Sequence, residues 1–255
     1  MIIRCQEKNR QEIMAYLYQK PELNLFLIGD IEKYGFDNKD QTIFMDYNKK
    51  ISCIYLLYYN NLAISANGNI DENFISRLID WYQVEAISGD KQTLKNLDIP
   101  NFTKKECHFA SISNYSCQDY NYQVQVLDKS GIRETIYNSN NIFSNTVDFH
   151  KKINEVAKKS ARLYGIYDNK KIVAGASSTA ECSKLAMIIS VYTLKEYRNQ
   201  GYATNVVKKL VSDLCSENKT VCLFYDDLQA QAIYTKIGFK PVGEFLIFKR
   251  QTNAA

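Results

Sequence analysis

Apolar residues recur along this chain with two periods, and each change of period marks a new element. Residues 1–5 read as a short strand. A helix is predicted over 9–19, where Ile13, Met14 and Leu17 share a face and Pro21 stops it. A second helix over 23–34 carries Leu23, Leu27, Ile31 and Tyr34. Alternation then predicts strands at 42–47, 51–59 and 62–66 in an antiparallel meander, with Asn60-Asn61 as a hairpin turn. Asp71 is placed to cap a helix over 72–82, whose inner face is Phe74, Ile75, Leu78, Ile79 and Tyr82. A strand at 85–88, a short helix over 89–97 and a strand at 104–112 complete this half.

The same order returns downstream. A strand is predicted at 124–127, and Asp128 caps a helix to about residue 138. A helix follows over 148–160, then a meander at 163–168, 171–179 and 185–193. From Tyr202, the apolar residues Ala203, Val206, Val207, Leu210, Val211 and Leu214 repeat at three and four. Asn205, Lys208, Lys209, Ser212 and Asp213 take the opposite face. A strand at 220–226, a helix over 228–237 ended by Gly238, and a strand at 242–249 close the chain. This reading predicts an α/β protein with mixed sheets, built from two like halves, 1–120 and 121–255. The other arrangement open to it is one catalytic domain behind an unrelated N-terminal module.

Chemistry concentrates between the strand at 185–193 and the helix from Tyr202. Arg198, Gly201 and Ala203 form R-x-x-G-x-A. N–H groups at a helix start have no intrahelical partner, and with the helix dipole they attract anions. Gly201 permits close approach and an unusual φ. Ala203 adds little bulk, and Arg198 supplies a cationic fork. A pyrophosphate fits such a site. Neither G-x-x-x-x-G-K-[ST] nor G-x-G-x-x-G occurs in the chain.

Downstream, Asp227, Ala230, Tyr234, Gly238 and Phe239 complete a second motif. The two motifs resemble those of the GNAT acetyltransferases, V-x-x-x-x-R-x-x-G-x-A and N-x-x-A-x-x-x-Y-x-x-x-G-F, with Thr193 where valine is usual and Asp227 for asparagine. The resemblance is good over 124–250 and weak before it. It implies the acyl-CoA N-acyltransferase fold, here in tandem, with acetyl-CoA as cosubstrate and no metal. It also implies that the backbone at Val191 and Thr193 holds the pantetheine arm. Asn199, Gln200, Gly201, Tyr202, Ala203 and Thr204 would take the pyrophosphate, and Tyr234 would protonate the departing thiolate. Asp227 offers only acceptors when ionised, so it fits a helix cap as well as a cofactor contact.

Glu181, ahead of the central strand, is the first candidate for the general base, against a solvated hairpin carboxylate. Asp148 and His150 open a helix that borders the acceptor cleft in the resembled family, and His150 titrates in a useful range. Glu196 reads as solvent-facing. In the first half no R-x-x-G-x-A follows the central strand. Asp71 and Glu72 instead put negative charge where an anion would sit. That half is expected to bind no CoA and to act as a cover or substrate-shaping domain.

Composition narrows the setting. A charged share of 24% and a hydrophobic share of 45% are those of a folded globular chain. A formal charge of +4 from scattered lysines gives no basic stripe, so no nucleic-acid partner is expected. Seven cysteines without metal spacing read as free thiols, with Cys5, Cys53, Cys107 and Cys222 in apolar runs. The start MIIRCQEKNR has no leader-like apolar run, and no stretch is long enough to span a bilayer. A cytoplasmic enzyme with no membrane partner is expected, acting on a small-molecule or peptide amine. A non-catalytic acyl-CoA-binding sensor or interaction protein is the alternative. An aminoacyl transferase with paired halves would have no use for the intact phosphate turn. The sequence carries no signal of oligomeric state.

Overall fold

The computed structural model describes residues 1–143, 153, 156 and 161–251. The elements of the first half are β1 (Ile2–Arg4), α1 (Arg10–Leu17), α2 (Leu25–Tyr34), β2 (Gln41–Asn48), β3 (Lys50–Tyr58), β4 (Asn61–Ala66), α3 (Glu72–Tyr82), β5 (Ala86–Asp90), α4 (Lys91–Leu94) and β6 (Phe102–Ile112). Then come β7 (Gln125–Val126), α5 (Lys129–Phe143), β8 (Leu163–Asp168), β9 (Lys171–Thr179), β10 (Leu185–Thr193), α6 (Tyr202–Ser216), β11 (Thr220–Tyr225), α7 (Leu228–Ile237) and β12 (Lys240–Arg250). The helix expected over 148–160 lies almost wholly outside the described residues; the rest of the expected order of elements is present among them. Asp148 and His150 lie outside them.

The chain forms two compact units. One is Met1–Phe109 together with the chain from Pro241, and the other is Ala110–Lys240. In the first unit the strand order is β1-β2-β3-β4-β5-β12. β4 pairs parallel with β5 from Asn61↔Ala86 to Ile64↔Gly89 and antiparallel with β3, which in turn pairs antiparallel with β2. Tyr55, Leu57, Ile64, Leu78, Leu246 and Phe248 are among its buried core residues. In the second unit the order is β11-β10-β9-β8-β7, with β10 parallel to β11 and antiparallel to β9. Val206, Val207, Leu210 and Val211 of α6 cover one face of that sheet with Ile188 and Leu223. Ile132 and Ile136 of α5 cover the other, with Leu163, Ile172 and Tyr192.

Two local expectations change. The hairpin turn is Tyr59-Asn60 rather than Asn60-Asn61, because Asn61 already pairs with Tyr58, and Tyr59 takes the positive φ of 48°. The helix expected over 89–97 shrinks to α4. Gly89 and Asp90 are held in β5 by pairing with Leu246 and Phe245. A Cβ on Gly89 would lie 2.5 Å from the Ile64 carbonyl oxygen, so only glycine allows β4 and β5 to approach there.

The last strand departs most from the expected 1–120 and 121–255 division. β12 pairs antiparallel with β5 from Phe245↔Asp90 to Lys249↔Ala86. Leu246 and Phe248 thereby enter the first unit's core. Periodicity marks these residues as a strand but carries no information about which strand they join. Leu246→Ala should cost about 2–5 kcal/mol, the range for a leucine buried as fully as this one. Hydrogen exchange should then show lost protection in β5. Loss confined to β10 and β11 would contradict the pairing.

Candidate functional site

The two parallel strands of the second unit part company partway along. β10 and β11 pair from Leu185↔Thr220 to Ile188↔Leu223, and β10 then continues to Thr193 without that partner. A bulge against β9 lies at the same place, between Ile189↔Ser177 and Tyr192↔Gly175. Ser190 within it has φ of 54°, a left-handed conformation. A bulge adds a residue and turns the strand. One edge of β10 around Val191 therefore offers backbone N–H and C=O groups to a ligand rather than to a neighbouring strand.

Beyond Thr193 the chain makes a short 3-10 turn at Lys195–Tyr197 and enters α6 through Gly201, whose φ is 85°. No side chain caps α6. Among the described residues no partner takes the N–H groups of Tyr202, Ala203 and Thr204. The nearest atom to a Cβ on Gly201 would be Asn205 Nδ2, at 3.8 Å, so the approach is open. Arg198 is exposed and donates from Nε to the Thr193 carbonyl at 3.2 Å. Asn199 has φ of 62°, and Gln200 and Glu196 are exposed. Uncapped N–H groups, a helix dipole and an adjacent guanidinium give this turn a positive electrostatic character.

Residues absent from the sequence reading hold this turn in shape. Asn205, assigned to the polar face of its helix, is only 5% exposed. Its Nδ2 donates to Gly201 O at 2.9 Å, and its Oδ1 accepts from Asn121 N–H at 2.9 Å. Tyr122 donates to Gln200 O at 2.9 Å and stacks on Tyr202 with ring centroids 4.0 Å apart. Tyr197 donates to Asp168 Oδ2 at 2.8 Å. The one signal in the sequence is Asn205 itself, an amide placed four residues after a positive-φ glycine.

At the C-terminal end of β11, Asp227 Oδ1 accepts from Ala230 N–H at 2.7 Å and so caps α7. Tyr234 of α7 is buried between Tyr225 and Phe239, with centroids at 6.2 and 5.8 Å. Burial pushes its phenol up to about 12, helped by the charges of Asp227 and Asp226. It is therefore a neutral donor throughout the physiological range.

Glu181 is buried rather than solvated, and the fold engages its carboxylate. Arg162 grips it through two bonds, Nε to Oε1 at 3.0 Å and Nη2 to Oε2 at 2.7 Å, and the Ser178 hydroxyl also donates to it. Its side chain is 2% exposed, and Arg162 also pairs with Glu217 at 2.8 Å.

The first unit carries the corresponding crevice with different fittings. A cleft of about 930 Å³ is lined by 66–73 and 90–97 among others, where β4 and β5 end. There the N-cap of α3 is Asp71, whose Oδ1 takes the Phe74 N–H at 2.8 Å. Asp90 takes the Gln92 N–H at 3.2 Å and lies 3.9 Å from Lys20. Among the described residues no group of three or more His, Cys, Asp or Glu is arranged to hold a metal ion.

A model of the GNAT acetyltransferase family matches residues 42–248. A search of curated proteins finds no match. Among solved structures, a Drosophila protein superposes with a TM-score of 0.71 at 8% identity, covering 99% of each chain. A GCN5-related N-acetyltransferase from Sphaerobacter thermophilus gives 0.64 at 11% identity, covering 97% of this chain and 94% of that one. A GCN5-related N-acetyltransferase-like protein from Streptococcus suis gives 0.62 at 13%, covering 96% and 100%. At these identities the likeness is one of fold.

The Glu217 carboxylate is held down at about 2, chiefly by its hydrogen bond from Arg162. A folded-state value below the ordinary one of 4.5 adds stability that is complete above that pH and is lost as pH falls towards 2. Melting temperature should therefore drop between pH 5 and 2.5. Glu217→Gln should flatten that drop, and an unchanged acid slope would show that the pair contributes nothing.

Proposed function

We propose that this chain, which belongs to the GNAT acetyltransferase family, transfers an acetyl group from acetyl-CoA to a primary amine of a small molecule or peptide. The observation that carries this is the uncapped start of α6 behind Gly201, beside the parted strands β10 and β11. Acetyl-CoA supplies an activated thioester whose thiol is the leaving group. The chain's own residues do the rest. Tyr202, Ala203 and Thr204 direct N–H groups at a pyrophosphate, with Gly201 making room. Asn199, Gln200 and Arg198 complete the turn. The free edge of β10 at Val191 and Thr193 aligns the pantetheine arm.

Tyr234 keeps its proton on the phenol oxygen and offers it to the departing sulfur. The burial that raises the phenol acts equally on a thiolate beside it, so the two basicities stay comparable. Asp227 shapes this end of the site as the α7 cap, and its charge discourages ionisation of Tyr234. The engagement of Glu181 with Arg162 favours the alternative of a non-catalytic acyl-CoA-binding sensor. A thiol-release assay with acetyl-CoA and a panel of amines separates the two: turnover establishes the enzyme, and binding without turnover establishes the sensor.

Asp71 occupies in the first unit the helix start that Gly201 leaves open in the second. One CoA per chain is therefore expected by calorimetry, bound within 124–250. Acetyl-CoA should raise the melting temperature, since a ligand that binds only the folded state must do so. Gly201→Glu should abolish that shift, and binding of two CoA or an intact shift would refute the assignment.

Tyr234→Phe should lower turnover by about 10²-fold or more with nearly unchanged CoA affinity, the signature of an interaction made only in the transition state. A parallel loss of CoA affinity would make Tyr234 a packing residue instead.

A further inference from the structure

We propose that the side-chain hydroxyl of Thr193 donates a hydrogen bond to a phosphate oxygen of the bound acyl donor, a contact absent from the ligand-free chain; this rests on reading the turn as an acyl-CoA site. Thr193 Oγ1 is buried and has no hydrogen-bond partner among the described residues. Such a group opposes folding, because the hydroxyl has given up water and received nothing in exchange. Valine has nearly the same shape without that penalty. A threonine here is explained if something outside the chain completes the bond.

The position of Thr193 identifies what that is. It pairs with Ala174 of β9, and paired residues share a sheet face. Ala174 belongs to the core beneath α6. The preceding residue, Tyr192, points the other way and reaches Thr135 of α5. Thr193 therefore faces the same side as α6, at the end of β10 nearest the uncapped N–H groups. A hydroxyl donor there extends that row of donors. Its carbonyl is held by Arg198, whose exposed guanidinium is the group an incoming anion would attract.

The test is calorimetry with CoA, together with ligand-free melting, on the parent chain, Thr193→Val and Thr193→Ser. We expect Thr193→Val to melt higher than the parent without ligand, since the unpartnered hydroxyl is gone. We expect it to bind CoA about tenfold more weakly, the loss of one hydrogen bond to a charged group. Thr193→Ser should retain most of the parent affinity. The opposite signs of the two effects distinguish this contact from packing, which would weaken folding and binding together. A Thr193→Val chain that binds CoA as the parent does overturns the proposal while leaving the site assignment standing. A parent that binds no CoA overturns both.

Discussion

Gly201 leaves the first N–H groups of α6 without a side-chain partner, and much of the second unit is arranged to keep them so. A serine or aspartate at that position would satisfy the helix from within, as N-caps ordinarily do. The left-handed φ of 85° at Gly201 instead turns the chain into the helix with no side chain near the donors. A turn held this open needs support from elsewhere. Asn205 supplies it from one side by binding Gly201 O, and Tyr122 from the other by binding Gln200 O and stacking on Tyr202. These contacts fix the direction of the donors from within the fold, which reduces the reorganisation that binding would require.

The same topology with one residue type exchanged has the opposite electrostatics. Both units pair a central strand in parallel with the next strand for a short distance and then let the two diverge. Both place a helix start at the opening. In the first unit Asp71 bonds the α3 N–H and adds a negative charge where the second unit has an unoccupied donor row. An anion approaching α3 meets a carboxylate already in its place, at a cost on the order of a kcal/mol for each contact at a screened surface separation near 4 Å. The crevice persists as a shape, since the divergence of β4 and β5 is set by the sheet, while its affinity for phosphate is set by a single cap.

What could be read in the sequence follows from how local each feature is. Element order and the Asp71, Asp128 and Asp227 caps depend on residues within a few positions of one another, and those readings match the described residues. The destination of β12 depends on a partner strand more than a hundred residues away, and hydrophobic alternation is silent on that. The support given by Asn205, Tyr122 and Asp168 was missed for the same reason. Each acts through a contact distant in sequence, and an asparagine on a helix or a tyrosine in a linker has no local signature of the role. Glu181 shows the same limit from the other side. Its position before the central strand suggested a base, but Arg162 and Ser178, remote or inconspicuous in sequence, fix it as one end of an ion pair.

That case bears on how carboxylates near a site should be weighed. A general base must be able to take a proton, so its ionised form cannot be too well satisfied. Glu181 has the burial that often marks functional groups, and two guanidinium hydrogen bonds from Arg162 occupy its carboxylate oxygens. Tyr234 has comparable burial with no hydrogen-bond partner among the described residues, and Asp226 and Asp227 nearby oppose its ionisation. The two residues differ in what compensates them. The hydrogen bonds of Glu181 are completed by the fold, whereas Tyr234 retains a donor with no partner among the described residues. Thr193, with a buried hydroxyl and no partner, falls on the same side of that division, and so do the N–H groups that open α6. The unfinished hydrogen bonds of the second unit thus gather along one path, from the free edge of β10 through its terminal threonine to the helix start beyond Gly201.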